Sequence, residues 1–168
     1  MVRTDLWTVL EKTQAHISKY YATALTDESK HEELKNYIEK FILDSGFLVN
    51  GYDDDALISR LYSEMVEYSV LTPYFGSPDL DEININSWDD IVLTWSDGRM
   101  EKAPEHFRDP QHAVDIVKRL LHHSGMIIDN ATPIAQGHLP NNTRITAIKA
   151  PVVDEEEGIS VPHPLSPP

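Results

Sequence analysis

The stretch Glu82-Ile-Asn-Ile-Asn86 alternates apolar and polar residues, and Ile91-Val-Leu-Thr-Trp95 repeats the pattern before Asp97-Gly98 leads back through Arg99-Met-Glu-Lys102. Alternation with a period of two puts every second side chain on one face of a strand. Asp-Gly between such runs is a hairpin turn. An antiparallel sheet is therefore expected in the second half of the chain. Downstream, Asp109-Pro110 opens a helix with proline in its first turn, and Ala113, Ile116, Val117, Leu120 and Leu121 give it one apolar face, with Gly125 as its stop. Two further strands, about 134–139 and 143–150, flank the turn Pro140-Asn141-Asn142. The final stretch, Val161-Pro-His-Pro-Leu-Ser-Pro-Pro168, holds four prolines in eight residues and cannot continue a sheet. Residues 162–168 are expected to form a disordered tail.

Upstream the period changes from two to that of a helix. Leu6, Val9, Leu10, Thr13, Ile17, Tyr20 and Tyr21 mark one stripe behind Asp5, and Leu34, Tyr37, Ile38, Phe41 and Ile42 mark a second behind Thr26 or Asp27. Leu57, Leu61, Met65 and Tyr68 mark a third behind Asp53-Asp-Asp55, with Gly46 and Asn50-Gly51 as stops between. The expected class is α+β. A three-helix bundle over 1–72 precedes a small domain over 73–161 with an antiparallel sheet and one main helix, and Thr72-Pro73 divides the two.

The chain has 168 residues, with 14 Lys+Arg against 28 Asp+Glu, a formal charge of −14. That balance argues against a nucleic-acid partner, which needs a basic face to displace phosphate counterions, and against a polybasic membrane anchor. The absence of cysteine excludes disulfides, thiolate nucleophiles and cysteine metal sites. No apolar run approaches the roughly 18 residues of a membrane span, and Met-Val-Arg-Thr-Asp-Leu-Trp7 does not read as a secretory leader. A cytoplasmic location is expected.

No Gly-x-x-x-x-Gly-Lys-Ser/Thr and no Gly-x-Gly-x-x-Gly occurs, so these residues cannot cradle a triphosphate. His122-His123 diverge by about 100° on a helix and read as cations at its C-terminal end rather than as metal ligands. His31-Glu-Glu-Leu lacks the second histidine of a zinc helix, because position 35 is lysine. Asp53-Asp-Asp55 lacks the alternating ligands and glycine of a calcium loop and reads as a helix cap. No metal site and no catalytic residue is expected. Asn130-Ala-Thr132 and Asn141-Asn-Thr143 match a glycosylation pattern that has no use without a leader, and Asp154–Glu157 reads as a solvated loop. Arg144 follows a tight turn on a candidate strand; it is either a surface cation or an anion-contacting arginine whose planar fork suits phosphate.

Several of these segments fall in a familiar order. Leu71-Thr-Pro-Tyr-Phe-Gly-Ser-Pro-Asp-Leu-Asp-Glu-Ile-Asn-Ile-Asn86 resembles the entry segment of the type II/type IV secretion and pilus-assembly ATPases, in particular the tight-adherence (Flp) pilus branch. Phe107-Arg108-Asp109, then Gly125-Met-Ile-Ile128-Asp129-Asn-Ala-Thr-Pro133, then Gln136-Gly-His-Leu-Pro-Asn-Asn-Thr-Arg-Ile145 follow as they do in that family. The resemblance covers about residues 70–161, and the helical unit fits the extension of the Flp branch.

The resemblance implies an N-terminal regulatory and oligomerisation domain placed ahead of a RecA-like motor domain that carries the Walker A and Walker B residues. ATP and Mg²⁺ would belong to the complete protein, and this chain would hold no cofactor and no activity alone. Two arginines of the family domain reach the nucleotide phosphates; carried over by position, one matches Arg144 and the other falls on His138. The implied partners are the motor domain, neighbouring subunits of a ring hexamer and inner-membrane platform proteins of the secretion or pilus machine. The implied location is the cytoplasm or the inner face of the cell membrane. Motor-domain residues are absent from these 168, so a fragment, a frame-shifted product or a shortened family member is expected. The alternative is a stand-alone adaptor module of a secretion or pilus system that takes no part in nucleotide chemistry.

Overall fold

The computed structural model describes residues 2–75, 77–123, 134–138, 144–149 and 159–160, with side chains for 3–75 and 77–122. The chain divides into two compact units, Met1–Ser69 and Val70–Pro168. The fold is α+β, and each unit is built around its own buried residues.

In the first unit, strand β1 (Val2–Thr4) leads into helix α1 (Leu6–Tyr20). Asp5 starts α1: its carboxylate accepts from the Thr8 amide at 2.9 Å and the Thr8 hydroxyl at 2.8 Å, satisfying one of the helix's free donors. A short helix α2 (Thr23–Thr26) and a 3₁₀ turn (Glu28–Lys30) precede helix α3 (His31–Ser45). Asp27 caps the 3₁₀ turn through Ser29 rather than α3 itself, whose own cap position, Lys30, makes no side-chain cap bond. Gly46 ends α3 with φ of 68°, a left-handed conformation that glycine adopts without a Cβ clash. Strand β2 (Phe47–Val49) returns to pair parallel with β1, and Asp53 caps helix α4 (Asp54–Val66) by accepting from the Ala56 amide at 2.7 Å. The aspartate run is thus a helix start.

Val9 and Ile17 of α1, Leu34, Ile38 and Ile42 of α3, and Leu57 and Leu61 of α4 are buried to 2% exposure or less and form one cluster. Each such side chain contributes about 1.5–3 kcal/mol by leaving water. Tyr20, read from the sequence as part of the α1 stripe, departs from that core: it is 59% exposed. The next stripe residue, Tyr21, stays half-buried against the core.

In the second unit a 3₁₀ segment (Ser69–Tyr74) crosses the boundary into strand β3 (Leu80–Ser87). β3 pairs antiparallel with β4 (Asp90–Trp95), which pairs antiparallel with β5 (Met100–Lys102) across Asp97-Gly98. The register sets Ile83 opposite Leu93 and Ile85 opposite Ile91, and all four are buried. Such cross-strand apolar pairs fix register, because a one-residue slip would expose the whole set. Helix α5 (Pro110–His123) follows, with Ala113, Ile116, Val117, Leu120 and Leu121 buried as their spacing predicts. Strands β6 (Ile134–His138) and β7 (Arg144–Lys149) pair antiparallel, and β8 (Ile159–Ser160) pairs with the end of β7.

The strand order is β5-β4-β3-β7-β6. The described pairings of this sheet are antiparallel with one addition: β3 and β7 run parallel. The α5 crossover lies between them in sequence, and parallel neighbours require such a connection. The segments 124–133, 139–143 and 150–158, which hold Gly125–Pro133, both glycosylation-like patterns and Asp154–Glu157, lie outside the described residues. So does the expected tail, 162–168.

Candidate functional site

Two places in the fold gather chemistry. The first is a row across the sheet. His138 ends β6 and Arg144 begins β7, and the ladder pairs them directly. Arg144 is also the parallel partner of Glu82 on β3, and Glu82 is the partner of Thr94 on β4. His138, Arg144, Glu82 and Thr94 therefore occupy one register row. The next row carries Gly137, Ile145, Ile83 and Leu93, of which Ile83 and Leu93 are buried. Both positions assigned to phosphate contact by the resemblance thus share a row with a half-buried carboxylate residue, Glu82, alternate to the buried row. Neighbouring strands lie about 4.8 Å apart, so the row sets an arginine position beside a histidine position on one side and a glutamate position on the other.

The motif Phe107-Arg108-Asp109 does structural work at the start of α5. Phe107 is fully buried, and Asp109 accepts from the His112 amide at 2.8 Å as the helix cap. The Arg108 amide donates to His112 Nδ1 at 2.9 Å, so this histidine is tied to the helix start. His122 is exposed on α5, and the side chain of His123 lies outside the described residues. His31 packs edge-on to Tyr62 with ring centroids 6.4 Å apart, and its buried Nε2 has no hydrogen-bond partner. Among the described residues no group of three or more His, Asp or Glu could hold a metal ion. Among them also no helix is long and apolar enough to cross a membrane.

The second place is a groove of about 500 Å³ between α1 and α3, walled by His16, Tyr20, Tyr21, Tyr37 and Phe41. Tyr21 and Tyr37 stack with centroids 3.8 Å apart and planes 8° from parallel; His16 and Phe41 stack at 4.4 Å and 22°. Tyr20 leans on His16 at 5.0 Å, with the Lys19 ammonium 5.1 Å from its own ring centroid. Lys40 and Asp44, four apart on α3, line the groove as well and form no ion pair with each other. The sequence carries a signal for it that the stripe reading passes over. His16/Tyr20 and Tyr37/Phe41 are each i,i+4 pairs, a spacing that puts both rings of a pair on one helix face.

No protein-family model and no curated protein matches the chain. Among solved structures, the crystal structure of the VirB11 ATPase from the Brucella suis type IV secretion system, in complex with sulphate, is similar to it. The identity is 19%, the likeness covers 59% of this chain and 31% of that chain, and the TM-score is 0.39. This chain thus spans less than a third of that protein's length.

Proposed function

We propose that the chain is the N-terminal regulatory and oligomerisation region of a secretion or pilus-assembly ATPase, of the tight-adherence pilus type, and is not catalytic alone. The observation that carries this reading is the pairing of His138 with Arg144: two positions six residues apart in sequence, both given phosphate contact by the resemblance, become direct neighbours in the ladder. The order of the Leu71–Asn86, Phe107–Asp109 and Gln136–Ile145 segments is the further support.

In this reading the nucleotide is held by a motor domain with its Mg²⁺, and this chain has no phosphate loop of its own. Arg144 contributes a fixed positive charge and a two-pronged donor, which stabilises negative charge as it spreads over a transferring phosphoryl group. His138 donates from a shorter side chain whose charge depends on pH. The partners are that motor domain, neighbouring subunits of a ring hexamer and inner-membrane platform proteins, at the cytoplasmic face of the membrane.

The aromatic groove on the helical unit favours a second reading, a stand-alone adaptor of the same machinery. One experiment separates them. The chain is joined to the RecA-like motor domain of a secretion ATPase, and Mg²⁺-dependent ATP hydrolysis is compared with the motor alone and the chain alone. The regulatory reading requires no turnover from the chain alone and a change in turnover, with ring formation, on joining. An adaptor leaves the motor's rate untouched.

A further inference from the structure

The groove between α1 and α3 has the features of a receptor for a proline-rich strand. Its walls are flat: two stacked pairs, Tyr21/Tyr37 and His16/Phe41, beside Tyr20, which is 59% exposed. Its donors are unused: the hydroxyls of Tyr20, Tyr21 and Tyr37 make no hydrogen bond among the described residues. A polyproline II strand presents the complement. It has no internal hydrogen bonds, so its carbonyls seek donors, and its rings pack on aromatic faces with little conformational entropy left to lose. The same chain carries a proline-rich sequence of the composition that favours such a strand, Val161-Pro-His-Pro-Leu-Ser-Pro-Pro168, immediately after β8 in sequence. Pro164 and Pro167 are three apart in sequence, one full turn of a polyproline II helix, a spacing that would set both along one edge of a bound strand. At about 3.1 Å per residue the eight residues reach about 25 Å, long enough to lie across a groove between two helices about 10 Å apart.

We propose that this groove takes residues 161–168 of a second copy of the chain. The choice of a second copy rests on the oligomerisation reading above. A groove on one copy and a strand on the next make a head-to-tail contact, the type that closes into rings.

The test uses the full chain with labelled tyrosines. Sedimentation across a dilution series is read beside the ring resonances of Tyr20, Tyr21 and Tyr37, for the parent, for Pro164→Ser with Pro167→Ser, and for Tyr20→Ala. The expected result is association that rises with concentration in the parent and weakens about tenfold or more in both variants. Unchanged thermal unfolding shows that both variants are folded. A peptide of residues 161–168 added to the parent is expected to shift the three tyrosines and to lower the average mass. Variants that associate as strongly as the parent would overturn the proposal while leaving oligomerisation through another surface intact. Tyrosine shifts caused by the proline substitutions at every dilution alike would overturn it too, because the strand would then occupy the groove of its own copy. A chain that stays monomeric at every concentration would overturn both the proposal and the oligomerisation reading.

Discussion

The Ser69 hydroxyl donates to the Glu64 carboxylate across the end of α4, and both residues are almost fully buried. Glu64 also accepts from Arg60 Nε at 2.8 Å, and Arg60 in turn donates to the Tyr52 hydroxyl at 3.2 Å and sits over the Trp7 ring. Ser69 has φ of 55°, a left-handed conformation that costs a non-glycine residue about 1–2 kcal/mol. The carboxylate therefore holds the last residue of the helical unit in a backbone state it would not choose alone.

Glu64→Ala is expected to destabilise the helical unit by about 3 kcal/mol or more, because it removes a buried carboxylate to which both Arg60 Nε and the Ser69 hydroxyl donate. Ser69→Ala removes a hydrogen bond to a charged group and should cost about 1.5–3 kcal/mol. Ser69→Gly loses the same bond but relieves the backbone, and should be about 1 kcal/mol milder. Urea unfolding of the three variants checks the order, and a glycine variant no better than the alanine one would contradict it.

The helix starts carry a pH dependence. Asp5 is held below the ordinary carboxyl value by the Thr8 amide and then the Thr8 hydroxyl, and Asp27 by the Ser29 hydroxyl and then its amide. A depressed folded value means stabilisation present above the unfolded value and lost as pH falls through the folded one. Melting temperature should therefore drop as pH falls below about 4, and Asp5→Asn, which can still cap but cannot titrate, should flatten that drop. An unchanged acid limb in the variant would be the contrary result.

Phe107→Ala should cost about 3–5 kcal/mol, since the ring is fully buried and the second unit would keep a cavity in its place. Gly98→Ala tests the hairpin differently. Nothing lies within 4 Å of an added Cβ, but φ is 86°, so the cost is backbone strain of about 1 kcal/mol rather than a clash. Thermal unfolding distinguishes the large effect from the small one.

Local rules made much of the fold readable. Asp5, Asp53 and Asp109 announce helix starts because a carboxylate satisfies free amide donors, and Gly46, Gly51 and Gly98 mark turns because glycine enters positive φ cheaply. The three-residue ribbon of β1 and β2 was not readable, being too short for a period to show. Nor was the parallel pairing of β3 with β7, which depends on where a crossover lands and not on any local pattern. Resemblance supplied His138 and Arg144, but only the register made them neighbours of each other and of Glu82. The aromatic groove was hidden because Tyr20 and Tyr37 continue the spacing of a core stripe while facing outward or half outward.

Glu82 is the partner of Arg144 in the parallel ladder, so a role for Arg144 within its own sheet is the reading that competes with a phosphate role. The deciding measurement is turnover per folded molecule and melting temperature together, for Arg144→Ala in the chain joined to a secretion-ATPase motor domain. If Arg144 serves a phosphate, turnover falls by about 10²-fold or more while melting stays within about 2 °C, and Arg144→Lys rescues only in part because it lacks the fork. If Arg144 serves the sheet, melting falls, Glu82→Gln reproduces the loss, and turnover per folded molecule is intact; that result would contradict the proposed function.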